Sequence, residues 1–357
     1  MSERRLVAGN IAVAMGALAA GCRYYFGYPI TPQSDIPAYM SGELRRLGGT
    51  FIQAESEIAS INMLLGASAC GFRAMTSSSS PGISLKQEGI SYMAGSELPG
   101  LIVNICRSGP GLGGIDASQA DYFQSVKTGG HGGYRTIVVA PASVQEMYDL
   151  TILAFDLSDR YRMPALLLAD SMIGQMKEAL TPWPYVAPGD LPAKDWALTG
   201  KQGRADQRIV KSLYLGEGEL EQHNWKLWRR AEELKAKEQR SEEKYLDDAQ
   251  LIVTGFGSAA RIAKTSVEMA RAAGLKVGFL RPITLFPFPE AAYAAATRTC
   301  TKLLCVELST GQMVEDVRLS VARDAEVAFY GRPPGTGSLP TPEEIFAQIE
   351  KHYGKGA

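Results

Sequence analysis

Tyr24-Tyr25-Phe26-Gly27-Tyr28-Pro29-Ile30-Thr31-Pro32 is the stretch that decides the fold. An aromatic run of strand character stops at Gly27. The two prolines that follow fix φ at about −65° and push Tyr28 and Thr31 toward extended conformations. The chain then enters a helical pattern, Ser34–Leu47. A strand that exits through a stiff turn into a helix is the opening unit of a parallel sheet. In such a sheet this turn lies at the carboxyl edge, where ligands bind.

The same alternation repeats outward from that unit. Further strand candidates are Thr50–Gln53, Arg73–Thr76, Gly100–Ile105, Arg135–Ala140 and Ala165–Ala169. Helical candidates are Glu55–Ala69, Ser84–Ser96, Ser118–Lys127 and Ser143–Tyr161. Short buried-type strands separated by such helices imply an α/β fold with a parallel sheet covered on both faces. A Pro- and Gly-rich exit, Thr181–Gly189, closes this part. From Lys226 to Asp248, 14 of 23 residues are charged, seven of each sign. That density reads as a solvated helix laced with i,i+4 pairs and bridging two domains, in preference to a partner-binding helix. Ala249–Thr254, Lys276–Leu280, Lys302–Glu307 and Glu326–Tyr330 then alternate as strands with the helices Ala259–Ala273, Pro289–Ala296 and Val314–Ala322. The expected organisation is an α/β domain over 1–190, a polar and charged helical bridge over 191–248, and a smaller α/β domain over 249–357.

Composition narrows the function classes. The 37 basic and 38 acidic residues nearly cancel, which argues against a general nucleic-acid or anionic-membrane binder. Five scattered cysteines, with no CxxC, argue against a cluster or structural zinc held by this chain alone and fit a reducing, cytoplasmic compartment. Arg4 and Arg5 ahead of Ile11–Ala20, with Ala20-Gly21-Cys22 following, loosely suggest a lipoprotein leader. The preferred reading is a first helix, Asn10–Ala20, because the apolar run is too short to span a bilayer.

Several turns carry candidate chemistry. Glu57, in Gln53-Ala54-Glu55-Ser56-Glu57, opens an apolar helix, where a dipole alone favours an acid. Thr76-Ser77-Ser78-Ser79-Ser80-Pro81-Gly82 is an anion-friendly turn or a plain N-cap. Arg107, at a strand end before Ser108-Gly109-Pro110-Gly111-Leu112-Gly113-Gly114, suits bidentate capture of a carboxylate or phosphate. His131, in Gly129-Gly130-His131-Gly132-Gly133, is an acid–base group, a substrate contact or a polar loop residue. Gly255-Phe256-Gly257-Ser258-Ala259-Ala260 matches a relaxed dinucleotide fingerprint. No acidic residue follows the next strand at Leu280-Arg281, so a tight strand–helix turn is the preferred reading.

The order of these turns is more specific than any one of them. With Ala140-Pro141-Ala142-Ser143-Val144-Gln145-Glu146 and Arg281-Pro282-Ile283-Thr284-Leu285, they resemble the α subunit of the 2-oxoacid:ferredoxin oxidoreductases over essentially the whole chain. Ser77–Ser80 with Pro81-Gly82-Ile83-Ser84, and Gly109–Gly113, resemble the branched-chain, 2-oxoisovalerate (3-methyl-2-oxobutanoate) type; 2-oxoglutarate-type chains read differently there. The resemblance implies a thiamine-diphosphate-binding domain of the pyrimidine type followed by a transketolase C-terminal-like domain. It implies oxidative decarboxylation of a 2-oxoacid to acyl-CoA, with electrons passed to ferredoxin. It places Glu57 on the aminopyrimidine nitrogen, with Pro29, Ile30 and Ser79 also at the cofactor. It places Thr31 and Arg107 on the carboxylate and carbonyl of the substrate, with His131 a further substrate contact. It assigns the diphosphate, Mg2+ and a 4Fe-4S cluster to a beta subunit. Further clusters go to a ferredoxin-like delta subunit, and a gamma subunit helps bind coenzyme A. The whole is expected as a dimer of hetero-oligomers serving an external ferredoxin. Ser108 and Gly133 depart from the usual Gly and Asp, and would alter the side-chain pocket. The competing readings are an NAD(P)-binding dehydrogenase using Gly255–Ala260 and a non-catalytic scaffold subunit. The joint presence of Thr31, Glu57 and Arg107 counts against the scaffold.

Overall fold

Gly100–Cys106 and Pro164–Asp170 are buried along their whole lengths, so both faces of their sheet are covered. The computed structural model, which describes residues 4–335 and 339–354, shows the consequence. A seven-stranded sheet runs, edge to edge, Thr284–Phe286, Ile137–Val139, Pro164–Asp170, Gly100–Cys106, Ala74–Ser78, Tyr24–Gly27 and Thr50–Gln53. All neighbours are parallel except the antiparallel first pair. The first helix, Gly9–Ala19, packs on Val144–Tyr161 and Asp35–Arg46, while Glu57–Ala69 packs on Ser80–Gly95. The first helix is rich in Ala and Gly because its neighbours come close. A Cβ on Gly16 would stand 2.6 Å from the Tyr148 carbonyl oxygen.

The chain runs from Tyr24–Gly27 outward to Thr50–Gln53, then back across to Ala74–Ser78. At this reversal the two central strands pair only at Tyr24↔Ala74 and Tyr25↔Met75 and then separate. The crevice opens between the carboxyl ends of Tyr24–Gly27 and Ala74–Ser78, the switch point at which parallel sheets bind ligands.

The second sheet runs Glu326–Gly331, Lys302–Glu307, Leu251–Thr254, Val277–Pro282 and Ser241–Lys244, the last antiparallel. Two segments depart from the sequence pattern. Thr284–Phe286 leaves the second half of the chain to extend the first sheet. The charged stretch is also not one solvated helix. A helix covers Glu219–Lys237, and Ser241–Lys244 becomes an edge strand whose Glu242 binds both Lys264 and Arg281. The helix docks by burying His223, Ala231 and Leu234, and Lys226 and Arg230 grip Glu97 at 2.6 and 2.5 Å. Burial raises the proton affinity of Glu97, but those two cations outweigh it and hold the carboxyl at about 2. Period and charge alone did not distinguish a docked face from a solvated one. A closing helix, Pro342–Tyr353, starts at the capping box of Thr341 and Glu344. Among the described residues no helix is long and apolar enough to cross a membrane.

Candidate active site

Ser56 caps the helix Glu57–Ala69 by accepting the Ala59 amide at 3.1 Å, which fixes Glu57 in its first turn. Glu57 is only 7% exposed. Among the described residues its hydrogen bonds run through its backbone carbonyl, and no donor reaches its carboxylate. Gly82 faces it. A Cβ there would lie 2.7 Å from Glu57 Oε1 and 2.1 Å from Ser78 Oγ, so only glycine leaves the carboxylate and the hydroxyl uncovered. Ser78 Oγ and Thr76 Oγ1 are themselves buried without partners. Buried hydroxyls left unmet are costly unless something outside the chain meets them.

Across the crevice, the Tyr28–Pro32 turn is braced from below. Tyr25 Oη lies 2.6 Å from Ser77 Oγ, Ser77 donates to Gln33 Oε1 at 2.5 Å, and Asn10 donates to the Pro32 carbonyl at 3.0 Å. The turn presents Pro29 and Thr31 exposed and Ile30 half-buried. Arg107 reaches it and donates through Nη1 to the Thr31 carbonyl at 3.2 Å and through Nη2 to the Leu112 carbonyl at 3.3 Å. Arg107 is 9% exposed, its Nε has no acceptor, and no described carboxylate pairs with it. A nearly buried guanidinium without a counter-ion is an anion site.

The loop beyond Arg107 is tied back on itself by backbone hydrogen bonds. Ser108 N bonds the Asp116 carbonyl, Gly114 N bonds the Ser108 carbonyl, and Arg107 bridges Ala117. Gly111 and Gly113 have φ of +69° and +58°, and a Cβ on Gly113 would strike the Ser108 carbonyl oxygen at 1.9 Å. Ser108 Oγ is buried and unpartnered.

The structure brings Arg107 against the Thr31 carbonyl and sets Glu57 beside Gly82 and Ser78, all at the carboxyl edge of the first sheet. Ser79 lies there too, but its hydroxyl is spent on the Ile105 carbonyl at 2.7 Å, and the uncommitted hydroxyl is that of Ser78. His131 is exposed and apart. Its carbonyl accepts from Ser91 and its ring meets Tyr92, about 16 Å along the helix from Ser80. The sequence offers Ser78 only as one of several hydroxyls in the Thr76–Gly82 turn, and Gln33 and Lys86 fall in none of its motifs. Strand alternation separates Thr76 and Ser78 from Ser77, a signal that was available. Lys86 sits at a core position between Ile83 and Ile90, where a lysine is anomalous.

The glycine turn of the second half is filled from within. Asp170 accepts the Ser258 amide at 3.1 Å and the Ser258 hydroxyl, as well as the Met172 and Ile173 amides at 3.1 and 3.2 Å. It lies where a pyrophosphate would, at the start of the helix Gly257–Ala272. Burial raises the proton affinity of Asp170, and these donors oppose the rise. The Ala140–Glu146 and Arg281–Leu285 motifs also meet each other. Arg281, 2% exposed, forks onto Glu146 at 2.6 and 2.9 Å and binds Glu242.

Residues 15–241 match the family model described as pyruvate flavodoxin/ferredoxin oxidoreductase, thiamine-diphosphate-binding. Residues 249–345 match pyruvate:ferredoxin oxidoreductase core domain II. The chain is 49% identical to ketoisovalerate oxidoreductase subunit VorB of Methanothermobacter thermautotrophicus, over 90% of this chain and 92% of that one. It is 36% identical to 2-oxoglutarate synthase subunit KorA of Archaeoglobus fulgidus, over 98% and 99%. Among solved structures it is similar to the 2-oxoglutarate:ferredoxin oxidoreductase of Magnetococcus marinus, which has 2-oxoglutarate, coenzyme A and succinyl-CoA bound. The TM-score is 0.87 at 26% identity, covering 99% of this chain and 66% of that longer one.

Proposed function

The chain belongs to the pyruvate flavodoxin/ferredoxin oxidoreductase family of thiamine-diphosphate-binding proteins, and from that premise we propose that it holds the pyrimidine and the substrate in a branched-chain 2-oxoacid:ferredoxin oxidoreductase. It is one subunit of a 2-oxoacid oxidoreductase that carries out thiamine-dependent oxidative decarboxylation. The observation that carries the site assignment is the unmet carboxylate of Glu57, uncovered by Gly82, at the same edge of the sheet as Arg107 and Thr31. These residues fit the pyrimidine end of thiamine diphosphate. When bound, that cofactor supplies the nucleophilic carbon and the electron sink needed for loss of CO2.

The chain's own residues then have separable tasks. Glu57, through Oε1, exchanges a proton with a pyrimidine ring nitrogen, in a site dry enough to make the contact strong. Pro29 and Ile30 form the stiff rim beside the ring. Arg107 takes the substrate carboxylate as a charge-assisted pair and Thr31 offers its hydroxyl to the carbonyl, which fixes the reacting carbon. Ser108–Ala117 carries no cation for a second substrate carboxylate and exposes Leu112 and Ile115. That favours an apolar, branched side chain such as that of 3-methyl-2-oxobutanoate. Greater identity to ketoisovalerate than to 2-oxoglutarate relatives supports the same choice. Mg2+, the diphosphate contacts and a 4Fe-4S cluster belong to a beta subunit, further clusters to a delta subunit, and help with coenzyme A to a gamma subunit. The complex works in the cytoplasm and delivers electrons to ferredoxin.

The test is a 2-oxoacid panel on the assembled complex, read by viologen or ferredoxin reduction. The wild type should prefer 3-methyl-2-oxobutanoate to 2-oxoglutarate. Arg107→Ala should raise KM for every 2-oxoacid by about 10–100-fold while leaving KM for coenzyme A alone. Preference for 2-oxoglutarate would break the substrate assignment, and an unchanged KM would remove Arg107 from the carboxylate.

A further inference from the structure

Lys86 occupies a core position of the helix Ser80–Gly95 and is fully buried. Its Nζ donates to Ser60 Oγ and, at 3.3 Å, to the Glu57 carbonyl. No described carboxylate lies within ion-pair distance of it. Lysine is buried in this way at a cost, since a methionine would fill the same space without a charge to desolvate.

The charges around it are few. The helix Glu57–Ala69, packed against it, bears no charged residue besides Glu57. The strands Ala74–Ser78 and Gly100–Cys106 contribute only the Cys106 thiol, and Asp170, at the end of Pro164–Asp170, is saturated by its own donors. On its own helix Glu88 is exposed and bound by Tyr92. Glu97 and His223 lie beyond the far end of the helix, roughly 14 Å along its axis. Arg107 lies at the start of this helix through Ser80, and Asp121 is bound by Asn104, so Glu57 is the charged residue that Lys86 itself touches. Burial pushes the Lys86 ammonium down to about 8, against the pull of Glu57.

We propose that Lys86 is the positioning residue of Glu57: anchored on Ser60 and on the Glu57 carbonyl, its ammonium fixes the first helical turn and with it the direction in which the Glu57 side chain faces the crevice. This rests on the reading that Glu57 meets the pyrimidine. Loss of the ammonium should loosen that turn and weaken the contact with the ring.

The experiment uses the assembled complex depleted of cofactor. Thiamine diphosphate binding is followed by calorimetry, and kcat is followed against pH. Lys86→Met should bind thiamine diphosphate about tenfold more weakly than wild type at pH 7. Its kcat should lie about tenfold below wild type at pH 6.5 and lack the decline that wild type shows as pH rises through about 8, where Lys86 loses its charge. Ser60→Ala, which loosens the anchor and keeps the charge, should shift both readouts the same way by less. A purely structural lysine would lower kcat equally at all pH and leave cofactor affinity unchanged, and that result would overturn the proposal. Glu57→Gln separates the two claims. Wild-type cofactor affinity and kcat in that variant sink the reading of Glu57 itself, whereas loss of both there together with wild-type behaviour of Lys86→Met sinks only the role of Lys86.

Discussion

Two strand–turn–helix junctions in this chain look alike on paper and behave oppositely. Thr76–Gly82 and Gly255–Ala260 both follow a buried strand, carry small residues and open a helix. Each also has a buried carboxylate beside it, Glu57 at the first and Asp170 at the second. Asp170 accepts four hydrogen bonds from its own chain, and the junction is closed. Among the described residues no donor reaches the Glu57 side chain, the nearby Ser78 hydroxyl is unmet, and Thr76 Oγ1 and Arg107 Nε at the same edge of the sheet are unmet too. A saturated carboxylate is cement between two sheets. An unsaturated one is half of a contact whose other half comes from a ligand.

The contrast predicts a crossed pattern of loss. Glu57→Gln should cost the assembled complex about 1,000-fold or more in kcat, because proton exchange at the ring nitrogen is gone. Its melting temperature should move by only a few degrees, since no internal hydrogen bond is broken. Near-normal acyl-CoA formation would dissolve the distinction from the Glu57 side.

Asp170→Asn should do the reverse. Placing an amide against the Ser258, Met172 and Ile173 donors should cost about 3 kcal/mol of stability, read by denaturant unfolding. Turnover per folded molecule should stay within about twofold. A stability change under about 0.5 kcal/mol would show that the junction is not held by that carboxylate. The smallest expected effect is none at all. Calorimetry of NAD(P) against the protein should show no heat, because the Ser258 amide of the second junction is occupied by Asp170. Saturable binding would reopen the dinucleotide reading.

The sequence made much of the site legible, for a physical reason. Parallel strands deliver their exits to one edge, so once the alternation of strands and helices is read, Thr31, Glu57 and Arg107 must lie near one another. Lys86 was not legible in the same way. Its helix spacing placed it in the core, but its meaning depends on Ser60 and Glu57, which lie on another helix. The charged stretch misled because charge density says nothing about direction, and one face of Glu219–Lys237 turned out to be bound to Glu97. Thr284–Phe286 carried no mark of the sheet it would join. His131 lies on an exposed loop beside Ser91 and Tyr92, a placement its residue type could not reveal.

By itself the sequence determined the α/β class, the stiff turn and the family, and it named the candidate residue types, because these depend on local stereochemistry and on the order of motifs. Only the tertiary structure decided which polar groups are satisfied. Saturation is a property of neighbours brought from far along the chain. It alone separates the Gly255 turn, closed by Asp170, from the Glu57 crevice, which remains open to a ligand.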